Sequence, residues 1–427
     1  MMPSQSTTMP RRRFLATGAA ALGIAPMFLS RSFADAVNDE IAIGVIGCGG
    51  MGGGLMGNFL NMNGVRVVAV CDVDQNMRER AKNRVDGHYE NTDCKAHRQY
   101  RELLAQPGLD ALVIATPDHM HAQIGIEAAM AGLDVYGEKP FAWGLGEGRQ
   151  LVDAVNQHKR IWQTGSQQRS GNHFRRFKAL INNGTIGKIT RIECGTPRGM
   201  SIRNHSPAEE WESRIGNPPS NLDWAGYCGV VGEFPYHPMI HPWNWRWHET
   251  FGGGQLLDWV GHHVDIAMWA LGLDDTGPIA VEGTGKRGDH AFFNALVDYQ
   301  YQGTFEDGTV IEVRTDISGT RITGEDGWLH VNRGKLDADE REKLRNLPED
   351  FDERPPGHQQ DFINCVRNRE MPVAGAESTH RAASFGQLAV AAIDSGQVLR
   401  WDPAAERVID NADQAAHPRL GSRVRLK

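Results

Sequence analysis

No apolar run in this 427-residue chain is long enough to cross a membrane as a helix. An excess of basic residues is missing too. The 45 Lys and Arg face 53 Asp and Glu, and a formal charge of −8 argues against nucleic acid as a partner. Cysteine is scarce, and the six, at positions 48, 71, 94, 194, 228 and 365, show no paired metal-ligand spacing. Cys48 and Cys71 read as small buried residues rather than disulfide partners. There is no internal repeat and no low-complexity tract beyond the first 34 residues. What is present, 40% apolar and 23% charged, suffices for two globular domains with separate cores.

The N-terminus stands apart from this composition. Arg11-Arg12-Arg13-Phe14-Leu15 precedes a mildly apolar run at 16–29 and then Ser32-Phe33-Ala34. The succession reads as a twin-arginine signal peptide over 1–34, cleaved after Ala34 or two residues on, at Ala36. It predicts export of a folded chain to the periplasm by the twin-arginine machinery, and the alternative is a disordered basic arm. The segment holds four arginines and no acid, so its removal takes the charge from −8 to −12. Unpaired cysteines suit a chain that folds in a reducing cytoplasm before export.

The rest is organised around the apolar run 41–46, which passes into Gly47-Cys48-Gly49-Gly50-Met51-Gly52. Here Gly47 permits a tight turn, and Gly49, with Gly50 and Met51 beside it, lets backbone approach a pyrophosphate. Gly52 lets the following helix pack close to the sheet. That helix presents its N-terminus to the phosphates. A structural α/β unit without nucleotide could use the same glycines. A second apolar run, 65–71, ends in Asp72, 20 residues past Gly52, where an acid binding a ribose 2′-hydroxyl is expected. Asp72 predicts NAD, and Arg78 a turn later leaves NADP possible.

Strands at 41–46, 65–71, 111–115, 134–138 and 161–164 alternate with helices near 53–62, 75–85, 98–105, 119–132 and 144–158. The pattern predicts an α/β, doubly wound dinucleotide-binding domain over 37–164. Ligands bind past the carboxyl ends of such strands, which singles out Thr116-Pro117 with His121, and Glu138-Lys139-Pro140. From 165 to 427 an α+β domain is expected. It has a helix near 172–183, a strand at 188–196, a long irregular segment at 197–254 and a helix at 255–271. Strands follow near 279–286, 293–302, 309–317, 320–324 and 328–332, then helices near 357–369 and 377–396. Its sheet reads as open and largely antiparallel with one covered face, and a second subunit is the simplest cover for the other.

Lys139 at the end of a buried strand is expected to have a lowered pKa and to serve as acid or base, unless it is simply solvated. Asp258, His262 and Asp265 are spaced i, i+4 and i+7, so a regular helix puts them on one face. Acid, imidazole and acid on an otherwise apolar helix point to a polar cavity and acid–base work. A metal site ranks well below this for want of further ligands, so none is expected. Before that helix come Tyr236-His237-Pro238 and Trp243-Asn244-Trp245-Arg246-Trp247. If extended, this segment puts its tryptophans on one side. With Tyr236, His237, Arg246 and Asp265, Trp245 would then contact a sugar; core or subunit-interface packing is the other reading.

Taken together, the glycine turn, Thr116-Pro117 with His121, Glu138-Lys139-Pro140 and the Gly-Gly-Gly-x-x-x-Asp-x-x-x-His-x-x-Asp helix resemble the Gfo/Idh/MocA family of NAD(P)-dependent oxidoreductases. The resemblance spans nearly the whole mature chain. It departs at Val260, where many members have glycine. It implies cofactor contacts from Gly47, Gly49, Gly50, Met51, Gly52, Asp72, Thr116, Pro117, His121 and Glu138. It also implies proton transfer by Lys139 and His262, Asp258 orienting substrate or histidine, a carbohydrate substrate, and a homodimer or homotetramer. Net oxidation of a sugar, glycoside or polyol hydroxyl is the leading expectation. A redox-neutral glycosidase or epimerase cycle and a non-catalytic sugar-binding protein are the alternatives. Outside the cytoplasm free cofactor is scarce, so an exported member is expected to hold its dinucleotide tightly.

Overall fold

The computed structural model describes residues 40–202, 214–290, 292–352 and 356–426. The twin-arginine reading over 1–34 lies outside them, as does part of the irregular segment at 197–254.

One sheet holds β1 (Ile41–Ile46), β2 (Val65–Cys71), β3 (Lys95–His97), β4 (Ala111–Ile114), β5 (Asp134–Gly137) and β6 (Trp162–Thr164), in the order β3-β2-β1-β4-β5-β6. Every neighbouring pair is parallel. Each residue of β4 and β5 is buried, as both faces are covered by helices. Helices Gly50–Leu60, Gln75–Tyr89, His121–Met130 and Leu145–Gln157 supply that cover. The direction of strand progression reverses between β1 and β4, so the carboxyl ends of β1, β2, β4 and β5 frame one crevice. β3 was not expected. It is a three-residue Lys-Ala-His edge strand with two exposed members, too short to show a pattern.

A second, nine-stranded sheet runs β13-β12-β11-β7-β10-β9-β8-β14-β15. Its strands are β7 (Ile189–Gly195), β8 (Ala280–Arg287), β9 (Leu296–Thr304), β10 (Val310–Arg314), β11 (Gly319–Gly324), β12 (Gly327–Val331), β13 (Leu336–Ala338), β14 (Leu399–Asp402) and β15 (Arg407–Val408). Apart from the parallel pair β7/β10, the neighbours are antiparallel. Residues along β10 alternate half-exposed and buried. Ile311, Val313, Ile192 and Ile322 face a core shared with Phe177 and Phe385, which come from helices Asn172–Asn182 and Ala376–Ser395. The opposite face is polar, with Arg191 pairing with Glu193 at 3.0 Å and Glu312 at 3.1 Å.

Helix Ala376–Ser395 packs on the Leu145–Gln157 helix, on β8 and on the turn at Val260–Val264. It thereby fixes the second sheet against the first. All six cysteines are free and buried, and Cys48 Sγ lies 3.5 Å from the Cys71 carbonyl, so Cys48 and Cys71 are packing residues as expected. Among the described residues no helix is long and apolar enough to cross a membrane.

Candidate active site

At the end of β1 the chain turns at Gly47, whose φ of +86° suits glycine. A Cβ at Gly52 would lie 1.7 Å from the Gly47 carbonyl oxygen, so the helix start sits directly on the turn. Gly49 and Gly50, in contrast, have nothing within 4 Å of an added Cβ, and they line a cavity of about 410 Å³. Asp72 is bound to this turn. Its carboxylate accepts from Cys48 N at 2.7 Å and Asp74 N at 2.9 Å, while burial pushes its pKa up against those two bonds. Arg78 Nη1 donates to the Asp72 carbonyl at 2.6 Å. Thr116, Pro117, Glu138 and Lys139 complete the cavity's inner wall, and the buried Thr116 hydroxyl has no partner. An open glycine backbone at a helix N-terminus, a carboxylate beyond it and an unmatched hydroxyl fit a dinucleotide. His121 corrects the expectation, for it lines neither cavity. Its ring nitrogens lie 2.9 Å from the Thr116 carbonyl and 2.7 Å from the Pro140 carbonyl, tying the two walls together.

A second cavity, about 580 Å³, shares Met51, Lys139, Trp243, Arg246 and Asp258 with the first. At the junction Lys139 Nζ lies 2.5 Å from Asp258 Oδ1. Burial alone would depress the Lys139 ammonium, but Asp258 and Glu138 outweigh it and hold its pKa above the usual 10.5. The expected lowering was therefore wrong: the carboxylate opposite reverses the effect of desolvation. Burial likewise opposes the Asp258 carboxylate, yet the Lys139 ammonium keeps its pKa below 3.8. His262 lines the same cavity, its buried Nδ1 unpartnered, and burial followed by the Lys139 charge holds its pKa well below 6.5. The site thus presents an ammonium, a carboxylate and a neutral imidazole. Asp118 is buried nearby, its carboxyl pushed up to about 7 by burial and by Asp258.

The site helix is not regular. Gly254–Trp259 is α-helical, Val260–Val264 forms a π-turn and Asp265–Leu271 resumes the α-helix. The wider turn changes the rotation, so Asp265 does not follow Asp258 and His262 into the cavity. Instead its carboxylate is buried in a two-point pair with Arg169 at 2.7 and 2.8 Å, and Arg169 also reaches Asp274 at 2.8 Å. Asp265 is structural, a correction to its reading as a substrate contact.

The tryptophans also differ from expectation. Asn244–Trp247 is a 3₁₀ turn rather than an extended segment. It places Trp247 at the second cavity and Trp245 at the first, while Trp243, just before it, lines both. Arg246 reaches both cavities, its guanidinium 4.1 Å from the Trp243 ring and 4.4 Å from that of Trp245. Tyr236 and His237 line neither cavity. Tyr236 packs edge-on against Trp224, and His237 is buried with its Nδ1 accepting from Met239 N at 3.1 Å.

Several cavity residues escaped the sequence reading. Gln167 and Gln168 follow β6, beyond the strand carboxyl end where such sheets bind ligands. Gln167 donates to Glu138 at 3.0 Å, and the buried Gln168 amide lines the second cavity without a partner. Arg333, from the loop after β12, stands 4.6 Å over the Trp259 ring. Arg419, which lines neither cavity, is buried and donates to the carbonyls of Trp143, Glu249 and Gly252, fastening the start of the site helix to the first domain. No local signal marks it.

A reversed parallel sheet with a glycine turn at the reversal, facing a lysine–aspartate pair completed from a second α/β domain, defines a Rossmann-type oxidoreductase fold. The family model described as oxidoreductase family, NAD-binding Rossmann fold matches residues 41–166, and that for the family's C-terminal alpha/beta domain matches residues 170–424. The chain belongs to the Gfo/Idh/MocA oxidoreductase family, and its first domain is an NAD-binding domain. It is 30% identical over 240 residues to the uncharacterised oxidoreductase YrbE of Bacillus subtilis, over 56% of this chain and 55% of that protein. To the myo-inositol 2-dehydrogenase of Thermotoga maritima it is 24% identical, over 58% of this chain and 61% of that protein. The matched part thus spans little more than half the length of these relatives. In fold it is similar to the WlbA dehydrogenase of Bordetella pertussis, solved with NADH and UDP-GlcNAcA. The TM-score is 0.62 at 19% identity, covering 85% of this chain and 99% of that one.

Proposed function

We propose that the protein is an NAD(P)-dependent oxidoreductase acting on a hydroxyl of a sugar, glycoside or polyol. The observation that carries this reading is the Lys139–Asp258 pair with neutral His262 where the two cavities meet. Bound NAD supplies the acceptor for a hydride leaving the substrate carbon. Lys139 donates a hydrogen bond to the substrate oxygen and stabilises the charge that grows there. His262, uncharged and with a free ring nitrogen, receives the proton. Asp258 holds the ammonium in place. Trp243 and Trp259 line the second cavity where sugar C–H groups would pack, with Gln168 and Arg246 for hydroxyls. Inositol oxidation by a relative of known name supports a polyol or sugar. Product analysis after incubation with NAD and a panel of polyols and glycosides tests it. Keto product with NADH marks net oxidation, altered sugar without net NADH marks a redox-neutral cycle, and unchanged substrates throughout the panel contradict the reading.

The protonation states fix a pH profile. His262 must be neutral to act, and its depressed pKa keeps it neutral as pH falls through 6.5; Lys139 must be charged, and its raised pKa keeps it so up to 10.5. kcat/KM is therefore expected to stay level between these values, with the acid limb below 6.5. A limb near pH 7 would instead assign the proton to Asp118.

Asp72 is expected to select NAD, since a 2′-phosphate would meet its carboxylate and Arg78 is already engaged by the Asp72 carbonyl. Asp72→Ser should narrow the preference about tenfold or more. Tighter binding of NADP than NAD by the wild type would contradict this. Export to the periplasm, supported by Arg11-Arg12-Arg13 and the apolar run after it, is part of the proposal, as is a homo-oligomer using the open sheet face. Cell fractionation and light scattering respectively test them.

A further inference from the structure

The irregular segment of the second domain returns to the first domain at the rim of the dinucleotide cavity. Gln75 N donates to the Asn221 carbonyl at 2.9 Å and Asp223 N to the Val73 carbonyl at 3.0 Å, making an antiparallel bridge across Asp74 and Leu222. Asn221 Nδ2 adds a bond of 3.2 Å to Asp74. The Asp223 carboxylate takes Arg98 Nε at 2.9 Å and Gln99 Nε2 at 2.5 Å, both from the stretch just after β3. The segment is therefore fastened on both sides of Asp72, the residue expected at the ribose.

Between these fastenings and the active site, Gly226 and Tyr227 line the cavity. The Tyr227 ring lies flat on Trp224, centroids 4.9 Å apart and planes 11° from parallel, and meets the edge of His241 at 5.4 Å. His119 Nε2 lies 2.8 Å from the Tyr227 carbonyl, so backbone and ring are both fixed. The Tyr227 hydroxyl is nevertheless buried and has no hydrogen-bond partner. A buried phenol without a partner costs stability unless a ligand supplies one.

We propose that residues 221–228 form a clasp over the bound dinucleotide, with the Tyr227 hydroxyl bonding a polar atom of the cofactor, so that the cofactor stays in place from one turnover to the next. The inference rests on the reading of this cavity as the NAD site. Release of the cofactor past Asp72 requires the clasp to part from Val73, Gln75, Arg98 and Gln99 together, which slows dissociation without new contacts to the substrate. A clasp of this kind gives an exported chain the retained cofactor that its compartment demands.

The test is cofactor retention rather than activity. The wild type, purified without added nucleotide, is denatured and its released NAD counted. Dissociation is then timed by diluting NAD-loaded protein into an enzyme that destroys free NAD. Near-stoichiometric NAD is expected in the wild type. Tyr227→Phe, which keeps ring and packing, should speed release about fivefold, the scale of one lost hydrogen bond. Asp223→Asn, which removes the charge that holds Arg98 and Gln99 but leaves Arg98 itself at the cavity wall, should speed it about tenfold or more. Equal release rates in wild type and both variants overturn the clasp while leaving the NAD site intact. A wild type that binds no NAD overturns both.

Discussion

Replacing Lys139 by alanine is expected to slow the chemical step about a hundredfold or more, while NAD binds as before. The magnitude follows from the group removed, since a positioned acid or base commonly contributes about 10²–10⁴-fold. Two losses coincide in this variant. The substrate oxygen loses its charged donor, and Asp258, 2.5 Å from Lys139 Nζ, is left as a carboxylate without its counter-ion in a poorly solvated cavity. Asp258 would then take up a proton more readily, so residual activity should fall further as pH rises past that new pKa. His262→Ala is expected to cost a similar factor by removing the proton acceptor. Steady-state kinetics with NAD binding measured separately checks both, and full activity in a folded Lys139→Ala variant would remove the proposed mechanism.

Gly52→Ala should weaken NAD binding by about ten- to a hundredfold, the equivalent of the ~1–3 kcal/mol that overpacking costs. The added methyl would lie 1.7 Å from the Gly47 carbonyl oxygen, a backbone atom that cannot rotate aside. Either the turn opens or the helix Gly50–Leu60 shifts, and both moves disturb the backbone N–H groups at Gly49 and Gly50. Gly49→Ala, where an added Cβ meets nothing within 4 Å of the protein, is the informative control. Its fold should be intact, and loss of NAD binding there reports the cofactor's own approach to the backbone. Calorimetric titration of both variants distinguishes the two effects. Unchanged affinity in Gly52→Ala would mean that the turn does not carry the dinucleotide.

The first domain was legible because its signals are local. A run of buried β-branched residues, a glycine turn and an acid at the next strand's end lie within 32 residues, 41–72, and the sheet rule then points to residues 116–117 and 138–139. The misread features are those that neighbours in sequence do not determine. Burial of Lys139 could be foreseen, but its pKa direction depends on a carboxylate 119 residues away. Asp265 was placed by assuming a constant helical period, which the π-turn at Val260–Val264 breaks. The tryptophan trio was assigned to one side by assuming an extended chain, whereas a 3₁₀ turn divides it between the cavities. β13, β14 and β15 have two to four residues each, too few for alternation to emerge. Arg419 meets its partner Trp143 across 276 residues, and the clasp meets Arg98 across 125, so only the folded chain brings these groups together.

The central claim is that Lys139, Asp258 and His262 remove a proton from a hydroxyl while its carbon gives up a hydride to bound NAD. Rapid mixing of the NAD-loaded protein with individual sugars and polyols, followed by the absorbance of reduced nicotinamide, tests this most directly. For at least one compound the wild type should show reduced cofactor within a single turnover, persisting in net oxidation or decaying in a closed cycle, and Lys139→Ala should show it at about a hundredth of the rate or less. Reduced cofactor appearing equally fast in wild type and Lys139→Ala would contradict the account.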